Sequence, residues 1–415
     1  MAVIRPFKAL RPSKDRAKIV ASVPYDVVNR KEAKDQAEGN SLSFLRVTRS
    51  EIELDDSISP YSDEVYKRAK DNLNRLKKEA PLVTEDRPHF YLYRLEMNGK
   101  SQVGIAATFS VDDYEKDIIL KHEKTRREKE DDRTNHIITT EAQTGIVFLT
   151  YRGVDTVNKI VNDTMKEDKP EYDFISEDGI KHTVWIVPEK YNDKIIYEFK
   201  KIEHLYIADG HHRAASAARA RNVKREKNKN HKGDEEYNYF ISVIFPAEQL
   251  NILPYNRVVS DLNHLSKEEF LDKISEKFSI EKSGKKEPES GKKYGMYLDG
   301  EWYMLKARDS ILASNFLSNS VAETLDASIL QDFLLNPILG IDDPRTNKRI
   351  DFIGGIRGTK ELEKLVNSGE AAAAFCLYPV SLNDLMGISD AGEIMPPKST
   401  WFEPKLRDGL LVHTI

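Results

Sequence analysis

The stretch Leu205-Tyr206-Ile207-Ala208-Asp209-Gly210-His211-His212-Arg213-Ala214-Ala215 decides how the rest of the chain is read. Four largely apolar residues make a short buried strand, and Ala214 to Ala220 is an alanine-rich helix. The chain has to turn sharply between them. Gly210 lets the backbone bend and come close to a ligand. A helix that begins near His212 directs backbone N–H groups and a positive dipole end at the turn, a setting that favours anions and phosphate above all. His211, His212 and Arg213 add side-chain donors, and arginine can grip phosphate through two parallel hydrogen bonds. Asp209 is the one negative group, able to accept a proton from a hydroxyl or to hold magnesium. The plainer alternative makes Asp209 a helix cap and the histidines surface polar groups. A metal site built on both histidines is disfavoured, because adjacent helical residues do not face one ligand.

Outward from this turn, hydrophobic periodicity gives a mixed α/β (α+β) chain. Ser62 to Lys78 carries Val65, Ala69, Leu73 and Leu76 at helical spacing. Phe90 to Leu95 and Ser101 to Phe109 form a hairpin around Asn98-Gly99. Phe44 to Val47, Ile146 to Tyr151, Thr183 to Val187 and Phe240 to Phe245 read as strands, with a helix over 154–167 and a polar loop over 224–236. The character changes near residue 265. Ser266 opens an amphipathic helix with Glu268 and Glu269 in its first turn. A lysine-rich linker follows, then a hairpin at Asp299-Gly300, helices over 321–335 and 360–368, and a buried strand over 372–378. The expected division is 1–265, an N-terminal extension plus core, and 266–415, a C-terminal α/β domain.

Composition excludes several classes. Lys plus Arg number 64 and Asp plus Glu 69, for a net charge of -5, so a polycation that coats nucleic acid is not expected. The single cysteine, Cys376, excludes an internal disulfide and a Cys-cluster metal site, and suits a reducing cytosol. The N-terminus does not read as a signal peptide, and no apolar run of about 18 residues exists to cross a membrane. Gly284 and Gly291-Lys292-Lys293 lack the glycine spacing and the Ser or Thr of a P-loop. His122-Glu123 begins like a zinc-protease motif, but Arg126 stands where its second histidine belongs. The protein-kinase signature set is absent.

Three further segments carry candidate residues. Lys121, His122, Lys124, Arg126, Arg127, Arg133 and His136 crowd together with Glu123, Glu128, Asp131 and Asp132 among them. They read either as a solvated helix laced with ion pairs or as a loop laying cations around a polyphosphate while Glu123 faces the acceptor. Met395-Pro396-Pro397-Lys398-Ser399-Thr400 reads either as a structural turn or as a loop whose two prolines stiffen the approach and present Lys398, Ser399 and Thr400 as donors for phosphate. Asp26, in Pro24-Tyr25-Asp26, reads either as a ligand for the amino group of a small substrate, with Tyr25 beside it, or as an aspartate that ends a strand. Arg257 is a candidate for a substrate carboxylate or phosphate.

The segment Leu205 to Ala215 resembles the second signature box of the ParB/sulfiredoxin superfamily: a strand, a glycine, basic residues and an alanine-bearing helix, which there handles nucleotide phosphates. The chain is more closely similar, almost end to end, to a bacterial and archaeal family long catalogued as of unknown function. Ser22-Val23-Pro24-Tyr25-Asp26-Val27-Val28, Lys121-His122-Glu123-Lys124-Thr125, Asp209 to Arg213 and Met395 to Thr400 look like its motifs. The resemblance implies a ParB/sulfiredoxin-like mixed-sheet core with the 396–400 loop closing the phosphate site. Relatives in the superfamily include a kinase for free serine that uses ADP, and longer members similar to this chain are described as pyrophosphate-using serine kinases. The implied activity is phosphorylation of L-serine to O-phospho-L-serine in the cytoplasm, as part of serine and cysteine metabolism. Pyrophosphate is the first choice of donor, ADP or ATP the next, and Mg2+ the cofactor. A motif ahead of the box carries a catalytic acid in the free serine kinase, so Glu123 joins Asp209 and His211 as the catalytic set, with Glu141 as the fallback. Gly210, His212 and Arg213 would bind the donor. The alternatives are a ParB-like nucleotide switch or DNA-binding regulator, and a phosphohydrolase using the same turn. No nucleic acid or membrane partner is expected, and monomer and homodimer are both open.

Overall fold

The computed structural model describes residues 1–316 and 320–415, and these divide into two units. The first comprises Met1–Lys121, Thr125–Leu250 and Pro404–Ile415; the second comprises His122–Lys124 and Asn251–Glu403.

The first unit is built on a nine-stranded mixed sheet. Its strands are β1 (Ile4–Arg5), β2 (Tyr91–Met97), β3 (Lys100–Ser110), β4 (Ile119–Leu120), β5 (Val147–Tyr151), β6 (Tyr172–Ile175), β7 (Lys181–Ile186), β8 (Leu205–Asp209) and β9 (Tyr239–Pro246). The order is β4-β8-β5-β9-β3-β2-β7-β6, with β1 also paired to β3. Only β8 with β4 and β9 with β5 run parallel. Asn98 and Gly99 both take positive φ, 51° and 76°, which matches the right-handed twist of β2 and β3 at their tight turn. Apolar residues of the sheet, among them Ile105, Leu149, Ile207 and Ile244, form one core with Val157 and Ile160 of α3 (Asp155–Glu167) and Ala214 and Ala217 of α4 (His211–Lys227).

Helix α1 (Asp63–Glu79) buries Val65, Tyr66, Ala69, Leu73 and Leu76 and places Asp63 and Glu64 at its positive end and Lys77 and Lys78 at its negative end. The predicted strand at 44–47 is instead a short helix, Leu45–Thr48. Phe44 and Val47, three apart, pack together against Leu73 and Leu76 of α1, so helical rather than alternating spacing fills that space. The charged stretch is a loop only up to Arg126; from there α2 (Arg127–Thr140) is regular helix, packed against both α1 and α4. The predicted loop at 224–236 starts later, because α4 continues to Lys227.

The second unit has a six-stranded, wholly antiparallel sheet. Its strands, β10 (Tyr255–Val259), β11 (Phe278–Lys282), β12 (Lys293–Leu298), β13 (Glu301–Ala307), β14 (Ile350–Gly354) and β15 (Ala373–Cys376), are ordered β11-β13-β12-β15-β10-β14. Helix α5 (Lys267–Ser275) opens with a reciprocal cap: Glu269 N–H donates to Ser266 Oγ at 3.2 Å and Ser266 N–H to Glu269 Oε2 at 2.8 Å. The predicted single helix over 321–335 is broken at Leu325, whose extended backbone separates a short turn at Ala322–Thr324 from a helix at Asp326–Leu330 that widens over Gln331–Leu335. Helix α6 (Gly358–Asn367) falls where periodicity puts it. Among the described residues, no helix is long and apolar enough to cross a membrane.

Gly104 in β3 lies under β9. A Cβ there would stand 2.6 Å from Val243 Cγ1 and 2.8 Å from the Ile244 carbonyl oxygen. Gly104→Ala should therefore cost about 2–3 kcal/mol of folding stability, read as a lower urea midpoint at unchanged slope; an unchanged midpoint would show that the two strands separate freely.

Candidate functional site

Strand β8 delivers Asp209 to the turn, and it does so through an irregularity. Ile207 pairs with Leu149 but Asp209 with Phe148, so the register with β5 shifts between them. A bulge of this kind re-aims the side chain that follows it. Gly210 is left-handed, φ 93°, and its carbonyl accepts the first bonds of α4, from Arg213 N–H at 2.9 Å and Ala214 N–H at 3.1 Å. A 17-residue helix thus starts directly behind the acid, its positive end at the turn.

The side chains of the turn go to different places. Asp209 Oδ2 pairs with Lys405 Nζ at 3.1 Å. Arg126 N–H donates to His212 Nε2 at 3.0 Å, which ties the end of the charged loop to the turn. His211 is buried, and burial, helped by His212 and Lys121, pushes its imidazole down to about 3 against the opposing pull of Asp209. It is neutral at pH 7 and contributes no positive charge.

Arg213 points inward. One of its terminal nitrogens donates to both oxygens of Asp26, at 2.7 and 2.9 Å, and the other to the Ile146 carbonyl at 2.6 Å. Burial opposes its charge, but Asp26, Asp209 and Asp408 hold it above the ordinary guanidinium value. The Tyr25 ring lies between two cations, with Arg133 Cζ 4.3 Å and Arg213 Cζ 5.6 Å from its centroid. Arg133 is paired with Asp132, whose Oδ1 also accepts from Tyr66 of α1. A cleft opens among Tyr25, Arg133, His136, Thr144, Gly145 and Arg213. His136 beside it is held neutral, pushed down to about 4 by burial and by Arg133, with Nε2 against the Val47 carbonyl at 3.0 Å.

The structure therefore gathers Tyr25, Asp26, Arg133, His136, Asp209, Gly210, His211, His212 and Arg213 in the first unit. Lys121 belongs to it too, its ammonium held by the Tyr114 carbonyl at 2.8 Å and Asp117 at 2.6 Å. Arg127 opens α2 and is exposed. Glu141 caps the far end of α2 at the surface and pairs with Lys70 at 3.2 Å. His122, Glu123 and Lys124 group with the second unit, where the His122 carbonyl accepts from Met395 N–H at 2.9 Å, and so do Arg257, Lys398, Ser399 and Thr400.

Sequence reasoning missed Lys405 and Asp408, because both stand in the last twelve residues and rejoin the first unit only after the whole second unit. Asp408 exchanges backbone hydrogen bonds with Ser22, at 3.1 and 2.9 Å. Its carboxyl is 1% exposed, and Oδ2 has no hydrogen-bond partner among the described residues. Burial pushes it up to about 7 in spite of Arg213. Among the described residues, no three His, Cys, Asp or Glu side chains are grouped to hold a metal.

A family model described as a protein of unknown function (DUF1015) matches residues 4–328. No curated protein matches the chain. Among solved structures, the chain is similar to a free serine kinase in complex with AMP, at 12% identity and a TM-score of 0.35, over 74% of this chain and 91% of that one. It is also similar to a conserved hypothetical protein from Pyrococcus furiosus, at 13% identity and a TM-score of 0.34, over 74% and 94%. SbnI from Staphylococcus aureus, truncated at its C-terminus, is similar at 11% identity and a TM-score of 0.39, over 73% and 85%. Identities and TM-scores at this level leave the chemistry to be read from the residues of the turn.

The burial of Asp408 has a pH signature. The folded chain keeps this proton up to about pH 7, whereas the unfolded chain releases it near the ordinary aspartate value of 3.8. Stability from this group is therefore lost as pH rises through that window and is flat above it. The neutral buried histidines act in the opposite sense on the acid side, but equally in wild type and variant. Asp408→Asn should become more stable relative to wild type between pH 4 and pH 8, by on the order of 4 kcal/mol. Urea unfolding at several pH values measures this, and a constant difference would mean that Asp408 is ionised throughout.

Proposed function

The chain belongs to the DUF1015 family, and we propose that it is a phosphotransferase that moves a phosphoryl group from pyrophosphate to the hydroxyl of free L-serine. The observation that carries the reading is the Asp209–Gly210 turn: an acid on a bulged strand end, a left-handed glycine, the positive end of a long helix, and Lys405 beside the acid. These are the parts that phosphoryl transfer needs, because the reaction depends on positioning and charge stabilisation rather than on a protein nucleophile. The choice of serine and pyrophosphate rests on the family motifs at 22–28, 121–125, 209–213 and 395–400.

In the proposed reaction, Asp209 orients the serine hydroxyl and takes its proton. The hydroxyl oxygen attacks one phosphorus of the donor in line, the bridging P–O bond breaks, and phosphate leaves. Helix α4 and Lys405 offset charge on the transferred group. His211, uncharged and buried beside Asp209, adds no positive charge to the turn. The family resemblance offers Glu123 as the alternative to Asp209 in orienting and deprotonating the hydroxyl. Asp209 is the residue that would hold magnesium; when bound, the cation would supply charge neutralisation. ADP and ATP are the next donors in order.

The test follows phosphorus species by NMR with L-serine, magnesium and, in turn, pyrophosphate, ADP, ATP and CTP. Phosphoserine should form fastest with pyrophosphate, and Asp209→Asn should lose roughly 10²- to 10⁴-fold in rate. Phosphate release without phosphoserine would make the protein a hydrolase, and no turnover of any donor would remove the phosphotransferase reading.

A further inference from the structure

Arg257 in β10 is a cation without a counter-charge. It is 4% exposed and makes no ion pair among the described residues. Its guanidinium donates to the Tyr255 carbonyl and, weakly at 3.5 Å, to the Pro397 carbonyl, and lies 5.4 Å from the centroid of the Phe352 ring. Burial lowers it to about 10, which leaves it charged at neutral pH. A buried charge of this kind is costly unless an anion joins it.

A second cation stands at the same place. Pro397, which Arg257 touches, precedes Lys398, and Lys398 is held in the left-handed region at φ 55°, where a lysine is uncommon. Its Nζ lies 5.3 Å from the centroid of the Tyr255 ring, the residue whose carbonyl Arg257 binds. The turn is fixed from below, because Ser399 Oγ donates to the Pro396 carbonyl at 2.8 Å. Trp401 packs edge-on against Tyr255 at 5.2 Å and covers the same patch.

We propose that Arg257 and the Pro396–Ser399 turn form an anion site within the second unit, made for a phosphate-class oxyanion. The unpaired Arg257 guanidinium presents its donors in a planar fork that matches the oxygens of a phosphate. The fork of Arg257 supplies direction and Lys398 a point charge. The site stands on residues of the second unit alone, so it does not require that Asp209 be catalytic.

Pyrophosphate and inorganic phosphate are titrated into the full chain, with heat and tryptophan emission as readouts, since Trp401 lies on the patch. Wild type should bind with a change in emission. Lys398→Met, at an exposed position that leaves the fold intact, should weaken binding about tenfold. Arg257→Met should abolish the emission change and, having no charge to bury, melt at or above the wild-type temperature without ligand. Asp209→Asn should keep it. Wild-type affinity in Lys398→Met, or loss of the emission change in Asp209→Asn, would overturn the site. Competition by O-phosphoserine would identify a phosphomonoester as occupant and its absence the inorganic donor. Displacement by L-serine at equal concentration would overturn the phosphate assignment. Because the readout is equilibrium binding, a failure to make phosphoserine refutes the kinase and leaves this site standing.

Discussion

The first unit depends on one buried guanidinium. Arg213 is almost wholly inside, and a charge there is tolerable only if it is paired and hydrogen-bonded. Asp26 and the Ile146 carbonyl supply both conditions. Those two partners come from the N-terminal segment and from the entry to β5, so one side chain fixes three stretches of chain distant in sequence. Gly145 and Gly210 leave the room it needs, because a Cβ at either would come within 3.3 Å of Arg213 Cδ. The same residue lies in the first turn of α4, so pinning it inward sets where that helix begins and which way its positive end faces.

This arrangement changes what the basic residues of the turn do. In sequence, His211, His212 and Arg213 look like three donors facing a ligand. In the fold, Arg213 holds Asp26, His211 is buried and neutral, and His212 receives the Arg126 N–H. The cation beside Asp209 is Lys405, from the opposite end of the chain. A helix end and one distant lysine therefore contribute field at the turn, alongside Arg213 and Lys121, which act on Asp209 and His211. A helix dipole and fixed backbone groups need no reorganisation when charge moves, which suits a transferring phosphoryl group better than three mobile side chains would.

Much of the fold was legible because it is locally encoded. The Asn98-Gly99 and Asp299-Gly300 turns, the apolar stripe of α1, the cap at Ser266 and the strand-to-helix passage at 205–227 each carry their signal within a few residues. Phe44 to Val47 was not legible, since a run of four holds too little periodicity to separate a strand from one helical turn. The charged stretch misled in a different way. Its pattern is that of a solvated helix, yet Asp132 and His136 are buried because α2 is covered by α1 on one side and α4 on the other. Lys405 and Asp408 had no local signal at all. Only the apolar Leu410-Leu411-Val412 after Asp408-Gly409 hints that the tail enters a core.

The return of that tail also explains why the two ends of the first unit cannot act independently. Val412 exchanges backbone hydrogen bonds with Leu10, at 2.9 and 3.0 Å, and Asp408 does the same with Ser22, just ahead of Tyr25 and Asp26. The tail and the N-terminal segment therefore form one structural element, and between them they contribute Asp26, Asp408 and Lys405 around α4. Two of these carboxyls face Arg213; Asp26 takes the hydrogen bonds, and burial pushes Asp408 up to about 7. Raised that far, Asp408 carries only part of a negative charge at neutral pH, which lessens the negative charge around Arg213 behind the turn.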